Sequence, residues 1–203
     1  MANKDFKKAT KPKAGALIKA CERNNLAKVK DILERGADIN EKNSSGNTAL
    51  ILASINGYTD TARMLIEKGI RLDEKNNFGF TALIWSSANG HEDIAQMLID
   101  KGATLDEKID GGNTALILVC CYCYTEIARM LIDAGANLDE KDNDGRTALD
   151  NARENGHDVI VIMLEQAIKA KQEERQRILA QVCDPALQRP LAVKPPPKLG
   201  GRS

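Results

Sequence analysis

The chain has 203 residues, 42 % hydrophobic but only 3 % aromatic, and its 29 basic residues balance 29 acidic ones. That balance hides a split: residues 1–13 hold five Lys against one Asp, residues 171–203 hold seven Lys or Arg against three acids, and residues 14–170 hold 17 basic against 25 acidic side chains. An acidic body excludes a nucleic-acid-binding face, five cysteines cannot all pair in a disulfide framework, and no apolar run approaches the ~18 residues of a membrane span.

Residues 1–13 read as a basic, disordered lead-in without the apolar segment of a secretory leader. With cysteines that suit a reducing compartment, this predicts a cytoplasmic protein that spans no membrane. A first helical unit, 14–42, opens with Gly15-Ala16-Leu17-Ile18-Lys19-Ala20 and ends on Gly36-Ala37-Asp38-Ile39-Asn40. No proline lies between Pro12 and Pro185, so short helices punctuated by glycine can run without interruption.

The second unit, 43–75, sets the pattern. Asn43-Ser44-Ser45-Gly46 is a turn, and Thr48 stands as N-cap before Ala49-Leu50-Ile51-Leu52-Ala53. Gly57 ends that helix in a left-handed conformation. A second helix carries Ala62, Met64, Leu65 and Ile66 and closes at Gly69. Gly46-Asn47-Thr48-Ala49-Leu50 returns 33 residues later as Gly79-Phe80-Thr81-Ala82-Leu83. It recurs again as Gly112-Asn113-Thr114-Ala115-Leu116 and as Gly145-Arg146-Thr147-Ala148-Leu149. Gly36, Gly69, Gly102 and Gly135 keep the same step. The units are thus 14–42, 43–75, 76–108, 109–141 and 142–168. A fixed period of this length marks a stack of modules, none of which buries its apolar face alone. At 168 the register asks for a helix-ending Gly and finds Ile168, so the last helix is predicted to extend over 169–183 until Pro185 stops it. Residues 184–203 are Pro-rich, basic and predicted disordered. Lys194-Pro195-Pro196-Pro197-Lys198 is a weak match to a polyproline II ligand.

These motifs resemble the ankyrin repeat, whose 33-residue unit has a Gly-x-Thr-Pro-Leu-His-x-Ala start, a central Gly-His and a Gly-Ala-x-hydrophobic-Asn end. Gly90-His91 and Gly156-His157 match the centre. The family's Pro is Ala here at 49, 82, 115 and 148, and its His is Ile at 51, 84 and 117. The resemblance implies an all-α solenoid of helix-turn-helix units joined by β-hairpin loops, with no catalysis and no cofactor. It implies a monomer that binds another protein through a concave face. The alternatives are the targeting part of a larger effector or enzyme, and a self-associating structural adaptor.

By register, that face comprises the hairpin tips Ser44, Ser45 and Asn47; Asn77, Phe78 and Phe80; Asp110, Gly111 and Asn113; and Asn143, Asp144 and Arg146. The first helices add Ile55 and Asn56, Ala88 and Asn89, Cys121 and Tyr122, and Glu154 and Asn155. Phe78, Phe80 and Tyr122 are half of the six Phe and Tyr residues in the chain. They read either as anchors for a partner or, for the two Phe, as packing between hairpins. Trp85 stands where other units have Leu52 and Leu118, which favours packing. His91 and His157 share one register position and read as structural.

Cys120-Cys121-Tyr122-Cys123 does not place four ligands to converge on a metal. Cys120 aligns with Ser54 and Ser87 at the seam between units, and Cys123 replaces the turn glycine, which predicts either a strained left-handed residue or a reshaped turn. Glu-Lys recurs at 41–42, 74–75, 107–108 and 140–141, and the simpler reading of these pairs is a solvated edge.

Overall fold

A computed structural model describes residues 11–182. The expected disorder of residues 184–203 and of most of 1–13 lies outside these residues, as do Cys183 and the polyproline segment. The described residues form ten helices: α1 (Ala16–Glu22), α2 (Leu26–Glu34), α3 (Ala49–Asn56), α4 (Thr59–Glu67), α5 (Ala82–Ala88), α6 (Glu92–Asp100), α7 (Ala115–Tyr122), α8 (Thr125–Asp133), α9 (Ala148–Glu154) and α10 (Asp158–Val182). The chain divides into two units at Glu165/Gln166.

In the first unit, α1, α3, α5, α7 and α9 pack in sequence as one layer, and α2, α4, α6 and α8 as a second. Four threonines start the inner helices by one local device. The Thr48 hydroxyl accepts from the Ile51 N–H at 3.2 Å, and Thr81, Thr114 and Thr147 do the same to the residue three further on. Each such cap contributes about 1 kcal/mol. Thr147 adds a reciprocal bond, since the Asp150 carboxylate accepts from its N–H and hydroxyl and is held below the ordinary carboxylate value by those two bonds. The inner helices are apolar on most sides because each lies between two others. Ala49, Leu50 and Ile51 are at most 1 % exposed, as are Ala82, Leu83 and Ile84 and Ala115, Leu116 and Ile117. The isoleucines that stand where the resembled repeat has His are therefore core residues, each contributing about 1.5–3 kcal/mol by burial. The outer helices bury one stripe only, Ile94, Ala95 and Leu98 in α6 and Ile127, Ala128 and Leu131 in α8.

α1 has no threonine before it. Its orphan N–H groups are taken by a carboxylate distant in sequence: Glu41 accepts from Gly15 N at 2.9 Å, Leu17 N at 3.0 Å and Ile18 N at 3.4 Å. In α10 the buried Ile160 and Leu164 belong to the first unit. Residues 169–181 of the second unit are exposed and support their helix with near-neighbour pairs such as Arg177–Glu174.

The loops depart from the expected β-hairpins. Among the described residues there is no strand, only one isolated bridge, Lys141 to Thr147. Each tip is closed by one backbone bond, from the N–H groups of Asn43, Asn76, Ile109 and Asp142 to the carbonyls of Asn47, Phe80, Asn113 and Arg146, and three of the tips also by an Asx side chain. Asn43 Oδ1 accepts from the N–H groups of Ser45 and Asn47, Asn76 Oδ1 from Phe78 and Phe80, and Asp142 Oδ1 from Asp144 and Arg146. A side chain that folds onto its own loop competes with ladder formation, so each tip turns on itself.

Candidate functional site

Neighbouring tips are tied to one another. The Asn77 N–H donates to the Ser45 carbonyl and its Nδ2 to the Ser44 carbonyl, at 3.1 and 3.0 Å. One module on, the Asp110 N–H reaches the Phe78 carbonyl at 3.4 Å. Asn143 then donates to Gly111 and, through Nδ2, to Asp110. Asn76 Nδ2 donates to Asn47 Oδ1 at 2.9 Å. Ser44, Ser45, Asn47, Asn77, Asp110 and Asn143 thus lend backbone or side-chain groups to the stack. Asn113 turns its Nδ2 back to the Gly111 carbonyl at 3.4 Å. Ile109 stands where the other loops have Asn or Asp, so this tip has no Asx anchor of its own.

On the inner helices, Asn56, Asn89 and Asn155 are exposed, and each donates Nδ2 to the carbonyl four residues back, at 2.8 to 3.0 Å. They close helix ends and leave the amide oxygen and the second Nδ2 hydrogen to the outside. Ile55 and Ala88 are half-buried. Arg146 contacts Asp142, Asp144 and Glu154 at 2.7 to 3.3 Å, so it clamps the last tip to α9. Burial works against ionisation of Asp142. The N–H groups of Arg146 and Asp144, the Asn151 amide and the Arg146 charge outweigh it and hold the carboxyl below its ordinary value.

The aromatic set separates. Phe78 and Tyr122 are each 60 % exposed. Phe80 stacks on Trp85, with ring centroids 4.2 Å apart and planes 20° from parallel. One face of Phe80 is therefore occupied within its own module, and Trp85 packs as its register position suggests. Tyr122 lies 6.3 Å from Tyr124 in a tilted pair. Tyr124 lies over Gly90, where a Cβ would come within 2.5 Å of the ring.

His91 and His157 hold the stack. Their Nε2 atoms bond the Ile55 and Cys121 carbonyls of the preceding module at 3.3 and 3.2 Å. Cys120 is buried, and burial pushes its thiol up to about 12. A thiol held protonated is a poor nucleophile and a poor metal ligand. Burial also raises Cys121, whose Sγ lies 3.6 Å from Asn151 Oδ1. Among the described residues no group of His, Cys, Asp or Glu could hold a metal ion.

The Glu-Lys rows lie on a partly exposed edge, as the simpler reading expected, and their charges are ordered into pairs along it. Lys42 meets Glu74 at 2.7 Å, Lys75 meets Glu107 at 2.6 Å and Lys108 meets Glu140 at 2.8 Å, each Lys pairing with the following module. The same three Nζ atoms donate to the carbonyls of Lys75, Lys108 and Lys141. Hydrogen bonds from Lys42 and Arg71 hold the Glu74 carboxyl below its ordinary value, and those from Lys108 and Asn137 do so for Glu140. A parallel row links Asn40 to the Arg71 N–H, Asp73 to Thr104 and Asp106 to Asn137.

The family model described as "Ankyrin repeats (3 copies)" matches residues 17–109 and 104–174. The chain belongs to the ankyrin-repeat family. Ankyrin repeats are generally protein–protein interaction modules, and the family is typically non-catalytic. A search of the curated proteins finds no match. No helix among the described residues is long and apolar enough to cross a membrane. Sequence reasoning had named the tip and inner-helix positions of this ankyrin stack and the Glu-Lys recurrence, but missed that Asn43, Asn76 and Asp142 fix the tips and that each Lys pairs with the Glu of the following module. The signal was present as Asx three residues before three of the four turn glycines, Gly46, Gly79 and Gly145, and as Lys followed by Glu 32 positions later.

Proposed function

We propose that the ankyrin stack binds another protein through the face formed by its tips and inner helices. It acts as a cytoplasmic monomer, without catalysis, cofactor or nucleic acid. The observation that carries this reading is the pair Phe78 and Tyr122. They stand 60 % exposed on a face whose polar side chains are largely engaged with the stack itself. Large rings held on a rigid scaffold are what a binding hot spot requires. They meet a partner with little ordering cost, because the bonds between tips have already fixed the backbone. Asp110 is exposed on the tip that follows Phe78 and favours a partner patch of positive charge. An interface of ordinary size covers about 800 Å² on each side.

The test uses the full chain as bait, identifies captured proteins by mass spectrometry and measures each purified candidate by calorimetry. The Phe78→Ser and Tyr122→Ser double variant is expected to bind at least about tenfold more weakly, with an unchanged thermal midpoint. A candidate that binds both forms equally would refute the assignment of this face.

A further inference from the structure

The charge of the first helix pair differs from that of the rest of the stack. A cleft of about 320 Å³ opens between α1 and α2, lined by Lys13, Lys19, Arg23, Asn25 and Lys28, with alanines as its floor. No acidic side chain among the described residues lines it. All four cations are exposed, and none of their charged groups has an ion pair or hydrogen bond among the described residues. This contrasts with the rows of Lys42, Lys75 and Lys108, where every ammonium meets a carboxylate. The Glu41 carboxylate has both oxygens committed to the start of α1. Asn25 and Lys28 belong to the first turn of α2, which brings the positive end of a nine-residue helix to the same opening.

We propose that this cleft binds a compact polyanion carrying several phosphate groups. Four unpaired cations around one small volume raise the local positive potential. Lys and Arg are the side chains that take phosphate oxygens, Lys as a point charge and Arg as a fork. Three observations narrow the class. Among the described residues the cleft has no aromatic or large apolar side chain, so it lacks the anchor an acidic peptide would need. It also lacks the stacking platform of a single-stranded nucleic acid. Residues 14–170 carry 25 acids against 17 bases, so an extended polyanion that left the cleft would be repelled, whereas a compact one would not. A volume of this size suits a small molecule. The same chemistry occurs in a soluble polyphosphate and in a multiply phosphorylated lipid headgroup.

The experiment titrates the full chain with tripolyphosphate and inositol hexakisphosphate in one arm. The other arm uses phosphatidylcholine vesicles with and without phosphatidylinositol bisphosphate. Micromolar binding in the first arm identifies a soluble ligand, and binding confined to the second identifies a headgroup. Either supports the proposal, and binding in neither overturns it. The Lys19→Gln, Arg23→Gln and Lys28→Gln triple variant is expected to lose at least about tenfold in affinity, and raised salt to weaken the wild type. Lys68→Gln with Lys101→Gln, exposed and outside the lining of the cleft, is expected to change affinity less than about twofold. Equal binding by the cleft variant, or loss confined to the outer one, would overturn the proposal. The three single cleft variants, each expected to lose about two- to fivefold, keep the test decisive if the triple variant melts early.

Discussion

Replacing Cys123 by Gly is expected to stabilise the protein. Cys123 ends α7 at φ 65° and ψ 33°, the left-handed conformation that Gly57 adopts at φ 69° and ψ 29°. A residue with a Cβ is disfavoured there by about 1–2 kcal/mol, because the Cβ crowds its own carbonyl. Glycine returns about 0.4–1 kcal/mol of that gain as extra freedom in the unfolded chain. The Cys123 side chain is exposed, so little burial is lost with the sulfur. The net expectation is a gain of about 0.5–1 kcal/mol, or roughly 1–4 °C in thermal midpoint for a chain of this length. The assay is urea unfolding followed by far-UV circular dichroism under reducing conditions, with Cys123→Ala beside Cys123→Gly. A higher midpoint at unchanged slope for Gly alone is the expected result. A fall with Gly, or an equal rise with Ala, would refute the backbone argument.

Gly46→Ala is expected to cost at least about 1 kcal/mol more than Gly69→Ala in the same urea assay. A Cβ at Gly46 would meet the Asn77 backbone nitrogen at 2.8 Å, whereas at Gly69 nothing lies within 4 Å, and both have positive φ. Glu41→Ala removes the acceptor of the first N–H groups of α1 and is expected to lower stability by about 1 kcal/mol; an unchanged midpoint would show the cap to be idle. Glu74 and Glu140 have folded values below the ordinary 4.5, so their contribution is present above the unfolded value and is lost as the pH falls through the folded one. The urea midpoint gap between wild type and the Glu74→Gln, Glu140→Gln variant is therefore expected to be full at neutral pH and to shrink as the pH falls below 4.5; a gap that stayed constant on acidification would exclude the ion pairs as its source. Phe80→Ala is expected to cost about 1–2 kcal/mol through loss of its stack on Trp85, while Phe78→Ala leaves the melting temperature unchanged.

The helix pairs, their caps and the left-handed turn at Cys123 were readable from the chain because each depends on residues within a few positions. A threonine hydroxyl reaches the amide three residues on, and the sign of φ is a local property. The 33-residue period added that modules stack, since no single pair can bury Ala49, Leu50 and Ile51 by itself. The difference between Phe78 and Phe80 was not readable, because two rings on one tip are told apart only by whether Trp85 lies beside them. Glu41 and Glu74 share a repeat position and differ in partner: Glu74 has Lys42 from the preceding module, and Glu41 has only the bare start of α1. The chain by itself determined which modules form and where their exposed positions fall. Tertiary stacking alone decided which charges are neutralised and which, at Lys13, Lys19, Arg23 and Lys28, are left facing water, because pairing across the stack depends on having a neighbour.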